Sequence, residues 1–228
     1  MSSERGTPVG RRVVLGMAGL GVAGVAVGAA VQRGVNRALA PVKNVLPAAG
    51  GWRYYSVTGS VHRRTPQGYR LAVSGMVDAP RAFSMADLAK LKQTRVTRDF
   101  QCVTGWRVPQ VAWGGVALRD LLDAVGASGD AAAVRFKSFD GLYTESLTME
   151  QARRPDVLVA TMMLGGAVTH DHGGPVRLFV APMYGYKSLK WLGAVEVVDE
   201  VVAGYWERRG YDVDAWVGKS NGRDDEPT

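Results

Sequence analysis

The 228-residue sequence has one cysteine, Cys102, in the run Asp99-Phe-Gln-Cys102-Val-Thr-Gly-Trp106. A thiolate is a soft ligand that donates charge to a high-valent metal. One thiolate cannot build a zinc or iron–sulfur site, because those take several ligands. It suffices where a cofactor brings sulfurs of its own, as a pterin dithiolene does. The bland alternative is a thiol packed in the core. The chemical alternative is a nucleophile with a histidine base. His62, His170 and His172 are the only bases of that kind in the chain, and no protease or transferase signature surrounds them.

A second constellation is His170-Asp-His172-Gly-Gly-Pro175-Val-Arg177, followed by Tyr184-Gly-Tyr-Lys187-Ser-Leu-Lys190-Trp191. Arg177, Lys187 and Lys190 lie within fourteen positions, among glycines and aromatics. Arg and Lys bind phosphate by charge-assisted hydrogen bonds, and glycine lets backbone N–H groups approach it. Tyrosine and tryptophan supply flat apolar surfaces for a ring system. The same composition also describes a solvated basic turn with two core aromatics. His170-x-His172 has metal-ligand spacing but no third ligand nearby.

Cys-Val-x-x-Trp, Pro-Val-Arg and Tyr-Gly-Tyr-Lys-Ser-x-Lys, in this order and at these separations, resemble the oxidoreductase molybdopterin-binding family of the sulfite-oxidase fold. The likeness covers roughly residues 51 to 210 and is greatest to the bacterial branch that includes the periplasmic methionine sulfoxide reductase catalytic subunit. It implies molybdenum and molybdopterin as cofactors, with Cys102 as the protein ligand to the metal. It implies pterin and phosphate contacts from Arg177, Ser188 and Lys190, with Lys187 nearby. His172 stands where that branch commonly has Asn. Ser138 matches a hydroxyl contact, and Tyr54 or Tyr55 an N-terminal pterin contact. Trp106, Arg107 and Tyr184 are candidates for the pocket mouth. Two departures bear on the substrate. Sulfite oxidases have Cys-Ala-Gly-Asn-Arg, whereas this chain has Trp106 at the fourth position after the ligand, and Arg107 one later. The sulfoxide reductases have Cys-Val-Glu-Ala-Trp, whereas this chain has Thr104 in place of Glu. The implied activity is oxygen-atom transfer such as sulfoxide reduction. The alternatives are a dehydrogenase for sulfite or a related oxyanion, which Arg107 would favour, and a metal-free binding module of the same fold.

These motifs need a frame. Tyr54 to Val57 and Tyr69 to Val77 are rich in β-branched and aromatic residues and are predicted as strands. Ser84-Met-Ala-Asp87 opens a short helix with a capping-box start. Val96 to Val103 is predicted as a strand carrying Cys102 near its end. Leu118, Leu121, Leu122 and Val125 have helical spacing, which predicts a helix over 116–125 that Gly126 stops. Ala133 to Phe139 and Leu142 to Leu147 form a predicted hairpin around Asp140-Gly141. Thr148 begins another short helix, Val157 to Leu164 is an apolar strand, and Val176 to Val180 and Ala194 to Val198 are two more. Short strands mixed with short helices, without regular alternation, mark an α+β fold with a mixed sheet and argue against a doubly wound one.

Around that domain, assigned to 51–217, the chain divides into an N-terminal segment 1–33, a linker 34–50 and a polar tail 218–228 expected to be disordered. Arg11-Arg12 followed by an uncharged Gly/Ala/Val stretch to Val31 reads as a twin-arginine export signal or membrane anchor. That route moves folded proteins, as a cofactor loaded in the cytoplasm requires. Ala38-Leu39-Ala40 is a cleavage candidate with Pro41 against it, so cleaved and anchored forms both stay open. The expected location is extracytoplasmic, either free or anchored in the cytoplasmic membrane. The net charge of +7 comes with no nucleic-acid motif and no long Lys/Arg run, so nucleic acid is set aside. The sequence shows neither a haem attachment motif nor the immunoglobulin-like dimerisation domain of sulfite oxidases. The expectation is therefore a monomer that receives electrons from a separate haem or quinol-linked membrane partner and acts on a small-molecule or protein-bound oxide.

Overall fold

Burial with period two accounts for most of the strands in the computed structural model, which describes residues 52–226. The predicted export segment and the predicted linker lie outside the described residues. In β1 (Leu71–Gly75), Leu71 and Val73 point inward and their neighbours outward. Strand β2 (Arg81–Phe83) pairs with it antiparallel. The predicted hairpin is present as β5 (Ala133–Ser138) and β6 (Thr144–Thr148). With β10 (Leu192–Val198) these make one five-stranded sheet in the order β2-β1-β10-β5-β6. Its β1–β10 pair is parallel and its other pairs are antiparallel, so the sheet is mixed.

The second sheet holds β3 (Gln93–Gln101), β4 (Arg107–Ala117), β7 (Val157–Met163) and β8 (Gly166–Ala167), in that order, with β9 (Arg177–Val180) also paired to β7. Strand β9 and most of β7 are buried on both faces. Val157 and Val159 enter the larger core with Leu178 and Val180, whereas Leu158 and Ala160 enter a smaller one with Phe179, Trp113 and Phe100. This is why the sequence reads there as a continuous apolar run instead of an alternating one.

Among the described residues three short α-helices close the frame: α1 (Met85–Lys90), α2 (Leu118–Ala124) and α3 (Met149–Ala152). The predicted capping box forms between Ser84 and Asp87, and the helix predicted from Thr148 opens with a second one, Thr148 with Gln151. Leu118, Leu121, Leu122 and Val125 are fully buried, each contributing about 1.5–3 kcal/mol of transfer free energy.

The short strands β2 and β8 were not predicted, and β3 ends at Gln101, so Cys102 lies just beyond the strand expected to carry it; further departures bear on how the site is framed. Strand β4 was not predicted, because Pro109, Gly114 and Gly115 look like strand breakers. The glycines instead mark a register shift against β7, where a Cβ on Gly115 would sit 2.2 Å from the Val159 carbonyl oxygen. The helix predicted from 116 begins at Leu118, because Val116 and Ala117 complete β4. Tyr54 to Val57 is not a strand: its rings turn onto His172 and Trp106 instead of alternating across a sheet. The tail expected to be disordered is folded as far as residue 226. Asn221 Nδ2 donates to Tyr186 Oη (3.0 Å), Tyr184 Oη donates to Asp225 Oδ2 (2.9 Å), and Arg223 pairs with Asp225. Its polar residues satisfy phenol groups that the core cannot.

Candidate active site

Cys102 follows directly on β3, in the turn that reverses the chain into β4. Its N–H donates to the Trp106 carbonyl (2.9 Å) and its carbonyl accepts from the Gly105 N–H (2.9 Å). Thr104 Oγ1 donates to Cys102 Sγ at 3.2 Å. Burial pushes the thiol pKa up, opposed by the Thr104 contact and by the positive charges of Arg223 and Arg53. The base of the turn is fixed by Asp99, whose carboxylate pairs with Arg107 and accepts from the Gln110 N–H (2.9 Å).

The Tyr184–Trp191 motif reaches this turn through a glycine. The Gly185 N–H donates to the Gln101 carbonyl at 2.7 Å, and a Cβ there would meet Phe100 Cζ at 2.5 Å. Only glycine brings this loop so close to the cysteine turn.

The result is a cavity of about 160 Å³, roughly ten times the space one water needs. From the predicted set, Tyr54, Tyr55, Cys102 and Trp106 line it from the N-terminal half of the chain, and His172, Arg177, Ser188 and Lys190 from the C-terminal half. Four predicted residues are placed elsewhere. Arg107 is drawn to Asp99, which is only 5% exposed, and is not on the cavity wall. Tyr184 is buried with its hydroxyl on the tail, through Asp225 and the Gly218 N–H. Ser138 Oγ accepts from the Asp140 N–H in the hairpin turn (3.1 Å). Lys187 is sealed between Glu145 and Glu207.

The cavity also contains residues that the sequence reading missed, chiefly Trp52, Tyr143, Trp206 and Tyr211. The aromatic cluster Tyr205-Trp206…Tyr211 was the available signal, and its rings contact in sequence, Tyr205 edge-on to Trp206 and Trp206 tilted against Tyr211. Trp52 packs on Phe100, on Trp106 and edge-on to His172.

Charge distinguishes this cavity from an ordinary aromatic pocket. Arg177 is 3% exposed and spends its N–H groups on the carbonyls of His172 (2.7 Å) and Ser188 (2.8 Å). Its guanidinium lies over Phe100 and Trp113. Lys190 lies over Trp191, 4.1 Å from the ring centroid. Neither cation has a carboxylate within ion-pair distance among the described residues. Burial pushes Arg177 down to about 9, and burial with the neighbouring Arg177 pushes Lys190 down to about 7. His172 shares a 3.0 Å hydrogen bond with Tyr54 Oη, and burial with the two cations pushes it down to about 4, so its ring is neutral at physiological pH. An arginine and a lysine without an ion-pair partner are costly to hold charged on a buried wall unless an anion joins them. A phosphate-bearing ring system with its own sulfur donors fits this donor set: cations for the phosphate, aromatics for the ring, one soft thiol beside them. A purely protein-built metal centre does not fit, since no group of three His, Cys, Asp or Glu converges among the described residues.

Comparison with known proteins agrees with this fit. Sulfite oxidase of Arabidopsis thaliana is 32% identical over 179 residues, covering 64% of this chain and 46% of that one. The putative protein-methionine-sulfoxide reductase subunit YedZ1 of Azospira oryzae is 36% identical over 153 residues, covering 67% and 56%. The chain thus spans about half the length of these relatives. The sulfane dehydrogenase SoxCD of Paracoccus pantotrophus shares the fold, with a TM-score of 0.58 at 24% identity over 63% of this chain and 41% of that one. The sequence profile of the oxidoreductase molybdopterin binding domain matches residues 58–206, and the chain belongs to that family.

Proposed function

We propose that this chain is a molybdenum–molybdopterin oxidoreductase that removes oxygen from a neutral oxide of the sulfoxide class. The observation that carries this reading is the cavity itself, where Cys102 shares one largely aromatic wall with an arginine and a lysine that have no ion-pair partner among the described residues. When bound, the cofactor supplies two-electron oxygen-atom transfer. In this reading Cys102 ligates the metal through Sγ, held in place by the backbone bonds of its turn. Thr104 Oγ1 tunes that sulfur by donating to it. Arg177 and Lys190 bind the phosphate, Ser188 and His172 contact the ring system, and Tyr54 fixes the His172 ring. Tyr55, Trp106 and Trp206 exclude water from the substrate side.

A neutral substrate is favoured over sulfite because Arg107, the residue that would have argued for an oxyanion, is taken by Asp99. Arg53 on the cavity wall is the observation that keeps the oxyanion dehydrogenase as the second reading. The metal-free module is disfavoured, because it leaves Arg177 and Lys190 without a purpose.

Electrons come from a separate haem or quinol-linked carrier, with the chain acting as a monomer. No helix among the described residues is long and apolar enough to cross a membrane. Export by the twin-arginine route to an extracytoplasmic location rests on Arg11-Arg12, and Lys-Lys at those positions should hold the protein in the cytoplasm. The deciding experiment is metal analysis and turnover of protein made in a molybdenum-competent host. About one molybdenum per chain, lost or inactive in Cys102→Ser, supports the reading. Full activity without metal ends it. Sulfite oxidation with no sulfoxide reduction shifts it to the second reading.

A further inference from the structure

No group of the polar tail takes part in the chemistry proposed for the cavity, yet the tail is built onto the turn that carries Cys102. Two left-handed residues, Asn221 (φ 58°) and Gly222 (φ 63°), reverse it. Asparagine and glycine adopt this conformation at the least cost. Asn221 is tied down on both sides of its amide: Oδ1 accepts from the Asp212 N–H (3.0 Å), and Nδ2 donates to Tyr186 Oη (3.0 Å). Tyr186 lines the cavity. The reversal sets Arg223 against the cysteine turn.

Arg223 closes a ring of contacts around Cys102. Gly105 has φ 96°, and a Cβ built on it would lie 2.9 Å from Arg223 Nη2, so the guanidinium rests on the backbone of the turn. The Gly105 N–H donates to the Cys102 carbonyl. Arg223 also forks onto Asp225, with Nε donating to Oδ2 at 2.6 Å and Nη2 to Oδ1 at 3.1 Å. Asp225 Oδ2 accepts from Tyr184 Oη (2.9 Å). Tyr184 precedes Gly185, whose N–H donates to the carbonyl of Gln101, the residue before Cys102. The cysteine is therefore held on both flanks, at Gln101 and at Gly105, and both holds lead to one ion pair. A forked arginine–carboxylate pair fixes direction as well as distance. Its side chains are only 21% and 13% exposed, so solvent screens it in part. The positive charge of Arg223 acts on Cys102.

We propose that Arg223 is a positioning residue for Cys102: through Asp225 it locks the cysteine turn against the Tyr184–Tyr186 turn and so fixes where Sγ stands on the cavity wall. This rests on the reading of Cys102 as the metal ligand. Groups behind a ligand set its orientation and the charge that the metal meets. Thr104 acts on the sulfur directly, by its hydrogen bond. Arg223 acts through the backbone of the turn and through its charge. The arrangement also gives the tail a purpose: its Asn-Gly reversal delivers one guanidinium to a glycine that leaves room for it.

The test first reads the turn in the cofactor-free protein, by amide hydrogen exchange. Arg223→Met should speed exchange at Cys102, Gly105 and Gly185 by at least about tenfold, with the Ser138 amide of the β5–β6 hairpin exchanging as in wild type. Asp225→Asn should act in the same way, and Arg223→Lys, which keeps the charge but loses the fork, should fall between. In the holoenzyme, Arg223→Met removes a cation near the ligand sulfur and should lower the reduction potential of the metal, with Arg223→Lys restoring most of it. A merely structural residue would speed exchange throughout the domain and leave the potential alone. Wild-type exchange at the three amides, or equal acceleration everywhere, overturns the lock. Faster exchange with a wild-type potential overturns its link to the metal. Protein that holds no molybdenum, but whose three amides respond, overturns the reading of Cys102 as a ligand and supports the lock.

Discussion

Replacing Arg177 with methionine should weaken cofactor retention while leaving the cofactor-free fold nearly as stable as before. In the cofactor-free protein two effects oppose. The guanidinium donates to two buried carbonyls, His172 O and Ser188 O. Charged hydrogen bonds of this kind contribute about 1.5–3 kcal/mol each. Against that, the cation is buried without a counter-ion, and its pKa falls from the ordinary 12.5 to about 9. The fold therefore disfavours the charged form, and deleting the charge relieves on the order of 4–5 kcal/mol at about 1.4 kcal/mol per unit. The two effects nearly cancel. With the phosphate in place the balance changes, because the cation is then paired. Removing one partner of a buried pair costs about 3–5 kcal/mol, roughly a hundred- to a few-thousandfold in affinity. By mass action that loss should narrow the melting-temperature gap between loaded and cofactor-free protein by about 6–20 °C, at about 2–4 °C per kcal/mol for a domain of this size. Molybdenum content and calorimetry of both forms measure it. A variant that loads fully and keeps the wild-type gap refutes the assignment of Arg177 to the phosphate.

Three further outcomes follow from the electrostatics. Lys187→Met strands Glu145 and Glu207 together, which should cost about 3–5 kcal/mol. Because the Glu145 pKa is raised above its unfolded value, the loss should deepen as pH rises from about 4.5 and shrink on acidification, which denaturant midpoints across pH would show. Lys190 has a folded value of about 7, below the ordinary 10.5. Between those values the unfolded chain binds more protons, so cofactor-free stability should climb from pH 7 to 10.5, and Lys190→Met should flatten that climb. Arg107→Ala should lower thermal stability by orphaning the buried Asp99 carboxylate, at roughly 1–3 kcal/mol. It should leave the KM ratio of anionic to neutral substrates unchanged. A selective rise for the anionic one would put Arg107 at the cavity mouth after all.

The local elements were legible because their causes are local. Ser84-x-x-Asp87 and Thr148-x-x-Gln151 cap the helices that they announce. The alternating and apolar runs became strands, and Asp140-Gly141 turned the hairpin. Strand β4 was hidden because its glycines face a neighbour distant in sequence, β7, whose Met162 side chain crowds Gly114 and whose backbone leaves no room for a Cβ at Gly115.

The site divides along the same line. Residue chemistry by itself left a lone soft thiol and a Gly-, Arg- and Lys-rich stretch open either to a ligand bringing its own sulfurs and a phosphate or to a packed thiol and a solvated basic turn, and the resemblance of the motifs to a family selected the first. The structure places Cys102, Arg177, Ser188 and Lys190 around one cavity. What the sequence could not determine is which nearby cation faces that cavity, since charge type carries no direction. Arg107, five positions from Cys102, turns to Asp99, and Lys187, three positions from Lys190, is taken by two glutamates. Arg223, in a tail that reads as unstructured, packs beside Gly105 in the cysteine turn. A charged side chain goes where its buried counter-charge lies, and Asp99, Glu145 and Glu207 find their partners only when strands and turns far apart in the chain are folded together.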